Sequence, residues 1–457
     1  MADLETLLPA SSPKAIPILV MRGDGWEKFR RAAPAEVKGW ADSNGFAGQP
    51  GRSLLVPGAG GGLKQVLVGA VPDDDGFALA KLERSLPKGV YSIGGDIANP
   101  ELVALGWCLE AYGFGRYGKA SGAVVRLVCP KGVHRAAVLR AARASYLVRD
   151  LINTPASDMG PDELEAAARA VAKAGGAKFS VVSGKALEKG FPMIHAVGKA
   201  SPRAPRLIDF TWGPARAPKV TLVGKGVCFD TGGLDIKPAS GMALMKKDMG
   251  GAANVLGLAQ MIMAAKLKVR LRVLIPAVEN SIAGNAFRPG DVLRSRKGLT
   301  IEIGNTDAEG RLVLGDALAL ADDEAPDLLI DMATLTGAAR VAVGPDLPPF
   351  FTDDDGLATA IAAAGMAVND PVWRLPLWRP YFRLFESAVA DMNNSGDSGF
   401  AGSITAALFL RRFVEKAKAY AHFDVFGWTP MARPGRPKGG EAQAMRTLFS
   451  VISQRYG

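Results

Sequence analysis

Three stretches of the 457-residue chain concentrate side chains that could do chemistry. The first runs Gly224-Lys225-Gly226-Val227-Cys228-Phe229-Asp230-Thr231-Gly232-Gly233-Leu234-Asp235-Ile236-Lys237-Pro238. The second is Lys246-Lys247-Asp248-Met249-Gly250-Gly251-Ala252-Ala253, and the third Asn305-Thr306-Asp307-Ala308-Glu309-Gly310-Arg311-Leu312. Each has a plain structural reading. Thr306 to Glu309 fits a capping box, Asp248 fits a helix cap, and Asp230-Thr-Gly-Gly fits a tight turn. Together they place four acids and two lysines where strands are expected to end, at one edge of one sheet, where ligands bind in folds of this kind. Clustered carboxylates repel unless cations neutralise them. With only His134, His195 and His422 in the chain, and no His-Glu-x-x-His, a histidine-rich zinc triad is excluded. Carboxylate-dominated sites suit Mg²⁺, Mn²⁺ or Zn²⁺, and shared carboxylates favour a bridged pair about 3.5–4 Å apart.

The elements that must position these residues are legible as alternation. Strands are expected at Lys219–Val223, Arg270–Pro276, Thr300–Ile303 and Leu328–Met332, with helices at Asp162–Ala174, Gly250–Ala265 and Arg311–Ala321. Apolar strands separated by helices predict an α/β fold with a mixed, mostly parallel sheet flanked by helices. Upstream, Ser53–Val56 and Gln65–Ala70 predict a hairpin around the Gly-rich Pro57–Lys64 turn. That turn lacks the Gly-Lys-Ser/Thr ending of a phosphate loop. Val124–Cys129 reads as another strand, and helical spacing from Arg135 to Ile152 ends before Asn153-Thr154-Pro155. The expected organisation is a smaller N-terminal α/β domain (1–134), a connecting helix (135–155) and a larger catalytic domain (156–457).

In order, the three motifs resemble the leucyl aminopeptidase (cytosol aminopeptidase) family. Supporting stretches are Asn153-Thr154-Pro155, Asn285-Ala286-x-Arg288-Pro289-Gly290-Asp291-Val292, Ala333-Thr334-Leu335-Thr336-Gly337-Ala338 and Ala401-Gly402-Ser403-Ile404-Thr405-Ala406-Ala407, so the resemblance covers roughly residues 145–430. It implies that Lys225, Asp230, Asp248 and Glu309 bind one divalent metal. Asp230, Asp307 and Glu309 would bind a second, zinc or manganese, with magnesium and cobalt as further candidates. Lys237 and Arg311 would be the catalytic pair, with a bicarbonate held by Arg311 and backbone near Leu335 as proton shuttle. Met245, Thr334, Leu335 and Gly337 would meet the substrate. The implied reaction is removal of an N-terminal residue, preferably apolar, from peptides with a free amine, by a homohexamer. Two positions depart from the family form: Thr231 stands for a serine, and Asp235, expected at the solvent surface, for a small polar residue.

Bulk properties restrict the rest. Cys108, Cys129 and Cys228 are too few and scattered for a disulfide framework. The acidic N-terminus has no basic region before an apolar stretch, and no apolar run nears the roughly 18 residues that span a bilayer, so a cytoplasmic protein is expected, without a membrane role. The net charge of +10 comes from dispersed Lys and Arg without a basic tail. It leaves a DNA-binding or regulatory protein on the same fold as one alternative, and a metal-dependent amide hydrolase with a non-peptide substrate as another. Gly396-Asp397-Ser398-Gly399 echoes a serine-protease nucleophile without its companions and reads as a surface loop.

Overall fold

Residues 3–70, 76–118, 125–396 and 398–457 are described by the computed structural model of the chain. They fall into two units, Met1–Tyr146 with Met431–Lys438, and Leu147–Pro430 with Gly439–Gly457. The first unit holds strands β1 (Ile16–Met21), β2 (Ser53–Pro57), β3 (Leu63–Gly69), β4 (Gly89–Gly95) and β5 (Val125–Leu127), in the sheet order β2-β3-β1-β4-β5. β2 and β3 pair antiparallel across the Gly-rich turn, which is therefore a hairpin, while β1 runs parallel to β3 and β4. Val124, expected to open the last strand, lies outside the described residues. The Arg135–Asn153 helix runs through the division between the units.

The second unit is built on a nine-stranded sheet. Its strands are β6 (Lys178–Ser183), β7 (Arg206–Trp212), β8 (Lys219–Gly224), β9 (Gly226–Asp230), β10 (Arg270–Asn280), β13 (Leu328–Ala333), β14 (Pro349–Phe351), β15 (Trp373–Arg374) and β17 (Tyr420–Asp424). The order is β15-β14-β17-β13-β8-β10-β7-β6, with β9 beside β10. The centre, β17-β13-β8-β10, is parallel, and β14, β7 and β6 make antiparallel pairs at the flanks. All six residues of Leu-Leu-Ile-Asp-Met-Ala in β13 are buried, as a strand covered on both faces requires. The Gly250–Ala265 helix covers one face and buries 13 of its 16 residues, so its sequence shows no polar stripe.

One expectation needs correction. The run at Thr300–Ile303 does form a strand, β12 (Thr300–Glu302), but in a separate three-stranded sheet with β11 (Val292–Arg294) and β16 (Met392–Asn393). Only Ile301 of β12 is buried, an alternation that suits a small outer sheet and not the fully buried centre. The Asp307 and Glu309 segment therefore reaches the cleft from outside the main sheet. Among the described residues no helix is long and apolar enough to cross a membrane.

Candidate active site

Parallel strands deliver polar groups at their carboxyl ends. Lys225 directly follows β8 and Thr334 directly follows β13, while β9 ends on Asp230 and β17 on Asp424. Lys225 interrupts the run between β8 and β9, yet its backbone stays tied, with its N–H donating to Met332 O (3.0 Å) and its carbonyl accepting from Ala252 N–H (2.9 Å). These residues line a cleft of ≈ 580 Å³ within the second unit. All eleven residues singled out in the sequence border it: Lys225, Asp230, Asp248, Asp307, Glu309, Lys237, Arg311, Met245, Thr334, Leu335 and Gly337.

Two ammonium groups thread the acids together. Lys225 Nζ lies 2.8 Å from Asp248 Oδ2 and 2.9 Å from Glu309 Oε1, and donates to Thr334 O at 3.0 Å. Lys237 Nζ lies 2.8 Å from Asp230 Oδ2 and bonds Asp307 Oδ1. Asp230, Asp307 and Glu309 each offer an oxygen within 4.8 Å of the other two, while Asp248 joins them through Lys225. Among the described residues five carboxylates (Asp230, Asp248, Asp307, Glu309, Asp424) and five cations (Lys225, Lys237, Lys247, Arg311, Arg340) line the cleft. Formal charge is thus balanced by the chain itself, and dications are not needed merely to offset the acids. What calls for further cations is local: Asp248 Oδ2 and both Glu309 oxygens are buried without a well-directed hydrogen bond. Such groups carry a desolvation cost unless a cation meets them.

The electrostatics follow. Burial, then Asp230 and the other acids against the pull of Lys225, pushes Glu309 up to about 8, and burial with Asp230 pushes Asp307 up to about 6. Burial also raises Asp248. Asp230 is lowered, because Lys237 and Lys225 outweigh its own burial. Burial would depress Lys225 and Lys237, but the facing carboxylates prevail and keep both charged. Of the Lys225–Glu309 pair, Lys225 keeps its charge because Asp248 and Asp230 also act on it, and Glu309 carries the cost.

None of the capping roles is realised. Neither the Gly250–Ala265 nor the Glu309–Asp322 helix has a side-chain cap. Thr334 Oγ1 reaches both Asp248 O and Asp248 Oδ1 at 2.9 Å. Thr306 Oγ1 donates to Gly232 O (2.6 Å) and accepts from Asp235 N–H (2.9 Å), while Thr306 N–H donates to Asp235 Oδ2 (2.8 Å). Asp235 is exposed, as expected, but it also ties the first motif to the third. The tight turn does form, with Gly232 N–H donating to Asp230 Oδ1 at 2.8 Å. Gly310 is required by close approach, because a Cβ there would lie 2.6 Å from Lys225 Nζ. Gly251 is too, since its Cβ would lie 2.1 Å from Met332 O.

Arg311 Nη1 donates to Asn394 O at 2.8 Å. Near Leu335 the backbone is tied to a further acid: Leu335 N–H donates to Asp424 Oδ1 (3.0 Å), as does Thr336 N–H (3.1 Å), and Thr336 Oγ1 donates to Asp424 Oδ2 (2.6 Å). Asp424 and Asn280, whose Nδ2 holds Asp230 Oδ1 at 2.9 Å, were not singled out by sequence. Their one signal is their place as the last residues of apolar strands. Asp397 lies outside the described residues. Ser398 borders the cleft, but its Oγ accepts from Phe400 N–H, and no histidine lines the cleft among the described residues. His422 is buried against Asp331, its Nδ1 2.7 Å from Oδ1.

The chain is similar to known proteins over most of its length. Residues 146–449 match the catalytic domain of the cytosol aminopeptidase family, and residues 16–130 match the M17 aminopeptidase N-terminal domain. A probable cytosol aminopeptidase of Rhizobium meliloti is 41% identical over 374 residues, 77% of this chain and 74% of that protein. One from Brucella anthropi is 40% identical over 458 residues, 91% and 90% of the two chains. The crystal structure of the cytosol aminopeptidase of Coxiella burnetii superposes with a TM-score of 0.94 at 49% identity, covering 98% of each chain. The bottromycin maturation enzyme BotP, solved in complex with Mn, superposes with a TM-score of 0.86 at 33% identity, covering 96% of this chain and 99% of that one. The chain belongs to the cytosol aminopeptidase family, whose members are metal-dependent peptidases.

Proposed function

We propose that the protein is an aminopeptidase that removes N-terminal residues from peptides with two divalent metal ions per chain. The observation that carries this is the gathering of Asp230, Asp307 and Glu309 oxygens within 4.8 Å, with the underbonded Glu309 carboxylate at the centre. The donor set fits hard or borderline cations, since it is carboxylate with no imidazole. Asp230, Asp307 and Glu309 would hold one ion, and Lys225, Asp230, Asp248 and Glu309 the other, with zinc or manganese preferred and magnesium or cobalt as further candidates. Bound there, the pair would supply Lewis acidity and a water of lowered pKa.

The chain's own residues do the rest. Lys225 would have to give up its proton to act as a ligand, so metal binding would compete with its close contacts to Asp248 and Glu309. Lys237, which lies between Asp230 and Asp307, would present its ammonium to the scissile carbonyl and stabilise the developing oxyanion. Arg311, pinned through Nη1 to Asn394, would hold a bicarbonate as proton shuttle. The first residue of the substrate would lie along Met245 and the Thr334–Gly337 segment, with an apolar side chain such as Leu or Met preferred. The catalytic region is residues 156–457, with 1–134 as a separate domain and 135–155 as the link. A homohexamer in the cytoplasm is proposed on the family resemblance. The DNA-binding reading rests on net charge alone and is set aside.

Leucine p-nitroanilide and its N-acetyl derivative test the reading. Metal-loaded protein should cleave the free amine at least a hundredfold faster, and chelation should abolish the activity. Equal cleavage of both substrates would refute an aminopeptidase.

A further inference from the structure

Two of the five cations of the cleft, Lys247 and Arg340, have no side-chain hydrogen bond or ion pair among the described residues, and of these only Lys247 is buried. Lys225 and Lys237 are paired with acids, and Arg311 is hydrogen-bonded to Asn394. Lys247 is only 6% exposed and borders the cleft, yet among the described residues its side chain makes no hydrogen bond and no ion pair. The acids around it are engaged elsewhere. Asp248, next in sequence, faces Lys225 and Thr334, and Asp424 is held by Leu335 and Thr336. Its neighbour is instead an aromatic ring, Phe426, whose centroid lies 5.1 Å from Lys247 Nζ. Arg340 Cζ lies 4.9 Å from the same centroid, and Arg340 too lines the cleft. Two cations therefore gather at one ring, on the wall formed by the Met245–Lys247 turn and the Thr334–Gly337 segment.

An ammonium withdrawn from water without a contacting counter-ion is costly, and the attraction of an aromatic face and of the Asp248 and Asp424 carboxylates, neither in ion-pair contact with Lys247, recovers only part of that cost. A ligand carboxylate reaching Lys247 would supply the missing charge as a charge-assisted hydrogen bond, with Arg340 reinforcing it at the rim. We propose that Lys247, with Arg340 beside Phe426, forms a carboxylate-binding subsite that admits peptides whose first residue is acidic. A peptide's terminal carboxylate offers the same chemistry. The inference rests on the aminopeptidase reading for its placement at the first residue, and it widens the apolar preference proposed above.

The test compares Glu-, Gln- and Leu-p-nitroanilide, none with a terminal carboxylate, and Leu-Gly with its amide, in the wild type, Lys247→Met and Lys247→Arg. The wild type should favour Glu over its neutral isostere Gln by about tenfold or more in kcat/KM. Lys247→Met should erase that ratio and Lys247→Arg should keep it. If Lys247→Met instead erases a preference for Leu-Gly over its amide while Glu and Gln are equal, the subsite holds but acidic first residues are refuted as its ligand. Ratios near one in the wild type, or an equal loss on all substrates in Lys247→Met, overturn the subsite. Calorimetric binding of L-glutamate against L-glutamine to the metal-loaded wild type decides the same question without a variant and without turnover. Tighter glutamate binding supports the subsite, and equal binding refutes it. Absence of hydrolysis of every substrate would refute the peptidase, and the calorimetric result would still judge the subsite.

Discussion

Replacing Glu309 by Gln should make the metal-free protein more stable while removing its response to metal. The Glu309 carboxyl is pushed by burial, and next by Asp230, up to about 8 from an ordinary 4.5. A carboxyl raised on folding contributes stability that is complete below its unfolded value of 4.5 and is lost as pH rises through 8. By pH 7 the loss is already roughly 3 kcal/mol, at 1.36 kcal/mol per pH unit above the unfolded value. Gln has the size of the protonated acid and no charge to desolvate, although its amide leaves a polar atom imperfectly paired, worth about 1 kcal/mol. The net gain is therefore about 2 kcal/mol near pH 7 and more at higher pH, and it turns into a loss of about 1 kcal/mol near pH 4.5. Thermal unfolding of chelator-treated wild type and Glu309→Gln at about pH 5, 7 and 8.5 reads this directly. Adding a dication at a hundredfold its Kd should raise wild-type stability by about 2.7 kcal/mol and leave the variant nearly unmoved. A Glu309→Gln protein destabilised equally at every pH would refute the reasoning, since Glu309 would then be an ordinary ionised partner of Lys225.

Three further outcomes follow from the same geometry. Gly310→Ala puts a methyl 2.6 Å from a Lys225 Nζ that is fixed among Asp248, Glu309 and Thr334; a loss of about 1–3 kcal/mol and of metal affinity is expected, measured by denaturant unfolding and metal titration. Asp424→Ala leaves the Leu335 and Thr336 N–H groups and the Thr336 hydroxyl without their acceptor, which should cost about 2–4 kcal/mol and lower kcat, with Asp424→Asn intermediate on both readouts. Lys237→Met removes the ammonium between Asp230 and Asp307 and should lower kcat by about a hundredfold or more with little change in bound metal, as expected for a group acting on the transition state.

Much of this arrangement was legible in the sequence, because the main signals are local. The runs at 219–223, 270–276 and 328–332 are strands of the main sheet, and the 250–265 helix was bounded by its pattern. What sequence could not supply was partnership across the fold. Thr306 has the spacing of a capping box, yet its hydroxyl is taken by Gly232 and Asp235, about seventy residues upstream. Asp248 looks like a cap, yet it answers to Lys225 and Thr334. The strand at Thr300 was recognisable, but its membership of a separate sheet depends on β16, nearly a hundred residues later. Asn280 and Asp424 are single polar residues ending apolar strands, and nothing local tells them from ordinary strand ends. Sequence placed the two lysines near the four acids, but the way Lys225 and Lys237 interleave with them is revealed only by the folded cleft.

The central claim is that Glu309 and its neighbours hold a pair of dications on which peptide cleavage depends. Elemental analysis of chelated and then zinc- or manganese-reconstituted protein, paired with leucine p-nitroanilide turnover on the same samples, tests it most directly. The account predicts two ions per chain, activity that rises with their return, and loss of both in Glu309→Gln. Full turnover by protein stripped of metal, or two ions retained by Glu309→Gln at wild-type affinity, would contradict it.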